Sequence, residues 1–424
     1  MFFNTICVIG LGYIGLPTAA MFASKEKKVI GFDINQHVVD TVNSGKTHIM
    51  EPKLELMVKK GVDKGLLRAT KSIEPADVFL IAVPTPLLTI NSKLSIPEPD
   101  LTYIKSAANS VAKVLKKDNL VILESTCPVG VTEKMSLWMS ETRPDLTFPH
   151  SHGENSDIRI SYCPERVLPG NLMVELAEND RIIGGVTNKC SQRSIELYKE
   201  FVKGEFFITN PRTAEMCKLT ENSSRDVQIA FANELSIICD KLDIDVWELI
   251  SLANRHPRVD ILKPGPGVGG HCIAVDPWFI VSSATKDSKL IKTARSVNNS
   301  KPSWVLKKLK LKIADFFNEY PEKKPKDLII ACYGLTFKAD IDDLRESPSL
   351  EIASKVTKLN PGQTFVVEPN ILDLPNSLKD LELIKFETAI KRADINLILV
   401  DHTSFKKQKV WGKYTIDTRG ITHS

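Results

Sequence analysis

Short apolar runs alternate with longer amphipathic stretches from the start of the chain. Residues 5–9 (TICVI) are apolar and β-branched, which suits a strand buried on both faces of a parallel sheet. A helical stretch covers residues 18–24, and a second apolar run, 29–32, ends at Asp33. Further strands are predicted at 78–83 (VFLIAV) and 120–124 (LVILE), each after a helix-like segment, and the apolar run 158–163 leads into a loop. Strands alternating with helices over about the first 200 residues predict a parallel, doubly wound sheet. From 213 to 242 the texture changes to one long helix, with Met216, Leu219, Ile229, Ala232, Leu235 and Cys239 near 3–4 spacing. A helix of about 30 residues spans about 45 Å, enough to bridge two domains or two subunits. The polar stretch 319–326 (EYPEKKPK) is the best linker, and α/β alternation resumes beyond it at 328–333, 364–367 and 395–400.

The composition is that of an ordinary globular chain, with 42% apolar and 25% charged residues among 424, which excludes long disorder and fibrous folds. The charge sum, 56 − 52 = +4, is spread along the chain. Neither nucleic acid nor an anionic membrane is therefore expected as a partner, and a phosphorylated small molecule remains open. The eight cysteines show no CxxC pair and no Cys/His zinc spacing, so no metal is assigned and reduced thiols are expected. The first 24 residues are rather apolar, but no Lys or Arg precedes Lys25, and Gly10, Gly12, Gly15 and Pro17 interrupt the run. No signal peptide is therefore expected, and with no other stretch that long and apolar no membrane span is predicted. A cytoplasmic protein is expected.

Gly10-x-Gly12-x-x-Gly15 lies between the first strand and first helix, and Asp33 ends the second strand. Glycines there permit a tight turn and close approach of backbone N–H groups to a pyrophosphate. Asp33 would accept from the adenosine ribose and repel a 2′-phosphate, favouring NAD over NADP. A second glycine cluster, residues 264–276 (PGPGVGGHCIAVD), holds Cys272 four positions before Asp276. If Cys272 opens a helix, the two share a face, and the helix N-terminus stabilises the thiolate. Otherwise Cys272 is a small buried hydrophobe beside a turn. Lys218, Asn222 and Arg225 fall on one face of the long helix, where a solvated face is the plainer reading. Glu165 and Arg166 follow a strand, where α/β sites gather. Arg255-His256-Pro257-Arg258 is either a diphosphate clamp or a charged loop.

Taken together, GLGYIGLP, VPTP (83–86), STCPVG (125–130), CPERVLPG (163–170), KLTEN (218–222), GVGGHCIAVDP (267–277) and FKADIDDLRESP (337–348) resemble the UDP-glucose/GDP-mannose dehydrogenase family. The motifs run in family order from residue 1 to about 420. The resemblance implies two Rossmann-like doubly wound parallel-sheet domains joined by a helical middle with a long connecting helix. An NAD-binding domain would cover 1–205, a central dimerisation domain with the catalytic Lys and Cys 206–318, and a UDP-sugar-binding α/β domain 319–424. Carried over by motif, Gly10, Gly12, Tyr13, Ile14, Gly15, Asp33, Thr85, Thr126 and Arg345 would contact NAD. Arg166, Val167, Lys218, Asn222, Arg225, Gly269, Phe337 and Lys338 would contact the UDP-sugar, with His256 and Arg258 reaching it from the neighbouring subunit of a homodimer. Two departures are visible. Cys127 fills the variable position of STxPVG, and the stretch 87–97 is longer than expected, which bears on a loop over the cofactor.

The forms HPRV (256–259) and VGGHCIAVDPWF resemble the members that oxidise UDP-N-acetylhexosamines. The expected substrate is UDP-N-acetyl-D-mannosamine, with its C2 epimer UDP-N-acetyl-D-glucosamine as the alternative, and the uronate would serve surface polysaccharides such as enterobacterial common antigen. Oxidising a C6 alcohol to a carboxylate removes four electrons and so requires two NAD. An aldehyde gives up its hydride once a nucleophile has added, which is the role expected of Cys272 through a thiohemiacetal and a thioester. Lys218 would act as acid/base with Asn222 as a second donor, and Asp276 or Glu165 would activate water. A two-electron hydroxyacid dehydrogenase would need the lysine without the GGHC loop, and a non-catalytic nucleotide sensor would need neither.

Overall fold

The computed structural model describes residues 3–88, 96–167, 170–408 and 411–423. Residues 89–95, most of the long stretch noted at 87–97, lie outside the described residues, as do Leu168 and Pro169 of the CPERVLPG segment. The chain forms two compact units, Met1–Glu221 with Trp278–Ser283, and Asn222–Pro277 with Ala284–Ser424.

The first unit is built on eight strands: β1 (Thr5–Ile9), β2 (Lys28–Phe32), β3 (Leu67–Thr70), β4 (Val78–Ile81), β5 (Leu120–Leu123), β6 (Arg159–Tyr162), β7 (Arg181–Gly185) and β8 (Phe206–Thr209). Their order is β3-β2-β1-β4-β5-β6-β7-β8. Alternation along β1 sends Ile6 and Val8 into one apolar layer and Cys7 and Ile9 into the other. That is why TICVI is apolar throughout. All pairings are parallel except β6–β7, where Ser161 faces Gly185. The β7–β8 pair thus joins the doubly wound sheet in reverse, a departure that short strands near an edge hide from pattern reading.

The second unit carries five parallel strands, β9 (Ile329–Tyr333), β10 (Gln363–Val367), β11 (Glu382–Leu383), β12 (Ile395–Ile398) and β13 (Thr415–Asp417), in the order β11-β10-β9-β12-β13. Each sheet reverses its winding at its first strand, so each has a ligand crevice beyond the carboxyl ends of that strand and its neighbour.

The long helix is Pro211–Lys241. A second helix of the same 31-residue length, Lys289–Glu319, is masked in the sequence pattern by Pro302, which lies inside it. Proline removes one backbone hydrogen bond. Side chains on its buried face offset that loss: Asn298 Nδ2 donates to Asp226 Oδ1 at 2.8 Å and Lys301 Nζ to Ser236 Oγ at 2.6 Å. Among the described residues no helix is long and apolar enough to cross a membrane, and no His/Cys/Asp/Glu group could hold a metal.

Candidate active site

At the carboxyl end of β1, Gly10 adopts φ +89°, and its N–H donates to Phe32 O at 2.8 Å. A Cβ on Gly10 would stand 2.6 Å from Ala82 O, and one on Gly15 would stand 1.8 Å from Gly10 O. Gly12 is the opposite case, exposed and with nothing within 4 Å of a built Cβ, so its backbone is open to a close ligand. Helix Gly15–Ser24 has neither a side-chain cap nor an acid in its first turn, which leaves its positive end uncompensated. Asp33 accepts from Leu11 N and Asn35 N, both at 2.9 Å, and stays half-buried. This cradle, with the exposed Gly12 backbone, the uncapped helix end and the half-buried acid, fits a dinucleotide. Tyr13 and Ile14 are half-buried at its mouth. Beyond β4 and β5, Ser125 Oγ donates to Val83 O at 2.7 Å, tying together the loops that carry Thr85 and Thr126. The Thr85 hydroxyl is buried with no partner among the described residues.

The loop after β6 carries Glu165, Arg166 and Val167. Glu165 is buried, and both of its oxygens are engaged, by Arg166 N at 2.8 Å and by Arg181 Nη1 at 2.5 Å. Arg166 itself is half-exposed and lies 2.8 Å from Glu221 on the long helix. Behind them Arg181 stacks over Tyr198 at 5.1 Å, and Tyr198 donates to Glu124 at 2.5 Å. Burial, with the neighbouring Glu165 charge, pushes the Glu124 carboxyl up to about 7. Glu215, also on the long helix, accepts from Gly130 N, Thr132 N and Thr132 Oγ1 at 2.5–2.8 Å. It thereby holds the STCPVG loop to a helix that presents Lys218 one turn later.

Lys218 and Asn222 occupy successive turns and are both half-buried, while Arg225 is exposed. Asn222 Nδ2 donates to Asp276 Oδ2 at 2.5 Å, and Asp276 N donates to Cys272 O at 2.8 Å. The helix begins at Asp276 rather than Cys272, which sits in the turn just before it. Six of the eight cysteines are buried, and only Cys217 and Cys272 are part-exposed. Burial pushes Cys7, Cys163 and Cys332 up to about 12, away from the reactive thiolate.

The cysteine loop is held from both sides. Gly265 N donates to Asn233 Oδ1 at 2.8 Å, and Asn233 in turn donates to Asn298 at 2.9 Å. Gly270 N donates to Arg345 O at 3.1 Å, so Arg345 supports this loop by its backbone while its guanidinium pairs with Asp343. Gly269 and Gly270 lie on Phe337: a Cβ on Gly269 would meet Phe337 Cβ at 2.7 Å, and one on Gly270 the ring at 2.9 Å. Lys338 is exposed beside it. His256 and Arg258 are both exposed, with Arg258 N donating to His256 Nδ1 at 3.3 Å. Arg181, Glu124, Tyr198 and Glu215 escaped sequence reasoning, because each is an ordinary helix or strand residue whose partner lies far away in the chain.

A glycine-turn dinucleotide cradle in one doubly wound sheet, a second such sheet, and a part-exposed cysteine beside an Asn–Asp pair define an NAD-dependent dehydrogenase. The comparisons place it further. Residues 4–202 match the NAD binding domain of the UDP-glucose/GDP-mannose dehydrogenase family, 212–300 its central domain and 331–424 its UDP binding domain. The chain is 58% identical over 425 residues to UDP-N-acetyl-D-mannosamine dehydrogenase of Escherichia coli, covering 99% of this chain and 100% of that one. It is 57% identical over 422 residues to NDP-N-acetyl-D-galactosaminuronic acid dehydrogenase of Ralstonia nicotianae, covering 99% and 96%. The solved structure of UDP-D-ManNAc dehydrogenase from Pyrococcus horikoshii matches with a TM-score of 0.85 at 38% identity, over 98% of this chain and 96% of that one. The chain belongs to the UDP-glucose/GDP-mannose dehydrogenase family and is an NAD-dependent UDP-sugar dehydrogenase.

Proposed function

We propose that the protein oxidises UDP-N-acetyl-D-mannosamine at C6 to UDP-N-acetyl-D-mannosaminuronate, with Cys272 as nucleophile. The observation that carries the reading is Cys272 itself, a part-exposed thiol in a glycine-packed turn, joined through Asp276 to Asn222, one turn from Lys218. NAD, which the glycine turn at residues 10–15 and Asp33 would hold, would supply the hydride acceptor for both oxidations. Lys218 accepts the alcohol proton in the first oxidation. The Cys272 thiolate then forms a C–S bond to the aldehyde carbon while Lys218 protonates its oxygen, with Asn222 as second donor. Lys218 takes that proton back as the second hydride leaves, which yields a thioester. Water, losing its proton to Asp276 or Glu165, adds to the acyl carbon, and the C–S bond breaks to return the thiolate. One alcohol, two NAD and one water thus give one carboxylate, two NADH and three protons.

The sugar rests on the Escherichia coli and Pyrococcus relatives, and the Ralstonia relative supports a second reading, a UDP-N-acetylgalactosamine-type substrate. N-acetylmannosamine and N-acetylgalactosamine differ at C2 and C4, so contacts to two epimeric groups separate them, each commonly worth about a few kcal/mol. The roles given above to the remaining NAD and UDP-sugar contacts, and the division at 1–205, 206–318 and 319–424, belong to the same proposal; the three matched family segments support the division. A cytoplasmic homodimer that supplies surface-polysaccharide synthesis, with His256 and Arg258 reaching the neighbouring site, is part of the same proposal. Exposed Phe231, Ile238 and Leu242, spaced 7 and 4 apart along and just past the long helix, offer it an apolar face.

The test is the NADH yield from limiting UDP-N-acetyl-D-mannosamine, with the N-acetylglucosamine, N-acetylgalactosamine and glucose nucleotides beside it. Two NADH per molecule from the first alone is the expected result. One NADH, or a Cys272→Ser enzyme with a normal acid yield, would sink the thioester route, and two from another sugar would move the substrate.

A further inference from the structure

The loop 335–340, which carries Phe337 and Lys338, is suspended at both ends from one buried pair of side chains. At its start, Glu368 Oε2 accepts from Leu335 N at 2.7 Å and from Thr336 N at 3.2 Å. At its end, Asp340 N donates to His402 Nδ1 at 3.0 Å. The two supports are bonded to each other, His402 Nε2 to Glu368 Oε2 at 3.1 Å, and His402 is completely buried. Because Nδ1 accepts the Asp340 N–H, Nε2 carries the proton that Glu368 receives. Asn370 completes the arrangement, donating to Glu368 Oε1 from its backbone at 3.0 Å and lying 3.0 Å from His402 Nδ1. The Asp340 carboxylate, in turn, holds the start of the following helix through Thr403 N at 2.9 Å.

The loop is as constrained inside as at its ends. Thr336 Oγ1 donates to Lys338 O at 2.8 Å, and Phe337 N to Asp343 O at 3.2 Å. Asp340 holds φ +60°, a left-handed conformation that costs a non-glycine residue energy and persists only where the surroundings impose it. Phe337 is the surface on which Gly269 and Gly270 rest, two residues before Cys272. A displacement of the loop therefore moves both a substrate-binding lysine and the floor of the cysteine turn.

We propose that Glu368 and His402 are positioning residues of the UDP-sugar site: the pair ties both ends of the 335–340 loop, setting Lys338 for the nucleotide sugar and Phe337 beneath the cysteine turn. The inference rests on the reading that Phe337 and Lys338 serve the UDP-sugar. Neither side chain touches the substrate in this account. Each acts through the backbone N–H groups it accepts, Leu335 N and Thr336 N for Glu368 and Asp340 N for His402, since a donor left unpaired away from water forces the chain to move.

The experiment uses full-length enzyme and calorimetric binding of UDP and of NAD, with KM and kcat for the nucleotide sugar. His402→Ala is expected to weaken UDP binding and raise the sugar-nucleotide KM about tenfold, with NAD affinity within about twofold of wild type. His402→Asn, whose amide oxygen can replace Nδ1 as the acceptor for Asp340 N, recovers part of the loss. Glu368→Gln serves as the second variant should the alanine protein fail to fold, and the same split between the UDP and NAD ends is expected of it. UDP affinity and KM unchanged in a folded variant, or equal losses at both ends, would overturn the inference. A wild-type enzyme that binds UDP but oxidises no UDP-sugar would defeat the functional reading alone, and the UDP affinities of the variants would still decide this one.

Discussion

Each of the two sheets opens with the same construction. After β1 comes Gly10 at φ +89°, and after β9 comes Gly334 at φ +92°. Gly10 N donates to Phe32 O and Gly334 N to Val367 O, in both cases at 2.8 Å to the last residue of the second strand. The next residue along the chain carries an acid, Asp33 or Glu368, which accepts from the residue after the glycine, Leu11 N at 2.9 Å or Leu335 N at 2.7 Å. From there the two diverge. Asp33 stays half-buried, beside an open glycine turn and an uncapped helix, whereas Glu368 is 4% exposed and bonded to His402. An acid at the end of the second strand is thus not in itself a ribose contact. The first sheet keeps its acid near the surface, where the proposed NAD contact can reach it, and the second, with one more methylene and a histidine, turns the same position inward to support a loop.

The glycines carry the largest expected effect on either sheet. A Cβ on Gly10 would stand 2.6 Å from Ala82 O, and one on Gly334 would stand 2.3 Å from Val400 Cβ, each at a backbone φ that side chains resist. Gly10→Ala and Gly334→Ala should each cost about 3 kcal/mol or more. If the two constructions are independent, urea unfolding followed by ligand binding will show the first substitution abolishing NAD binding ahead of UDP binding, and the second the reverse. Loss of both together in each variant would mean that the two glycine turns are not independent.

A smaller effect separates the two acids. Asp33→Ala should weaken NAD about tenfold, as loss of a charged hydrogen-bonding partner commonly does, and leave UDP affinity unchanged. The glycine turn would lose only the bond to Leu11 N, so the melting temperature should move little. An Asp33→Ala protein that loses stability but keeps its NAD affinity would make Asp33 the same kind of internal support as Glu368.

Much of this architecture is written locally in the chain, and some of it is not. β1, β2, β4 and β5 declare themselves as apolar runs because both faces of a central parallel strand are buried. β3 (LRAT), β11 and β13 are short and lie at or next to sheet edges, so half of their residues are polar or exposed and no period emerges. The second long helix hides behind Pro302, since what stabilises it is bonding to Asp226 and Ser236 about 70 residues upstream. The site divides in the same way. The glycine turn and the cysteine turn are short continuous segments whose composition shows how closely the backbone must pack. Glu165 with Arg181, Glu215 with Thr132, and Glu368 with His402 are 16, 83 and 34 residues apart. Nothing in spacing or composition pairs them, because the sheet brings them together only after it forms.

The smallest effect tests why two deeply buried glutamates respond to burial in opposite ways. Glu124 has one hydrogen bond, from Tyr198, while its Oε2 has no partner among the described residues. Burial, reinforced by the Glu165 charge, pushes it up to about 7 from an ordinary 4.5. Burial works on Glu368 in the same direction, but hydrogen bonds from His402, Leu335 N and Asn370 N outweigh it and hold the carboxyl below the usual carboxylate range. Hydrogen-bond donors and the neighbouring charge together decide the direction: the Glu165 carboxylate adds to the rise at Glu124, and the His402 ring adds to the fall at Glu368. The consequences for stability are opposite in sign. For Glu124 the folded protein holds its proton more tightly than the unfolded chain, so its contribution is fully present below about pH 4.5 and is lost as pH rises to about 7. For Glu368 the contribution is present above the ordinary carboxylate range and is lost as pH falls through the lower folded value. Glu124→Gln keeps the Tyr198 bond and removes the buried charge. It should raise the melting temperature at about pH 8 by a few degrees and flatten its decline from about pH 5 upward. Glu368→Gln should instead lower the melting temperature at neutral pH and lessen its fall in acid. Melting curves across that range check both, and a Glu124→Gln protein with the wild-type slope would mean that the single Tyr198 bond and Arg181 already stabilise the charged form.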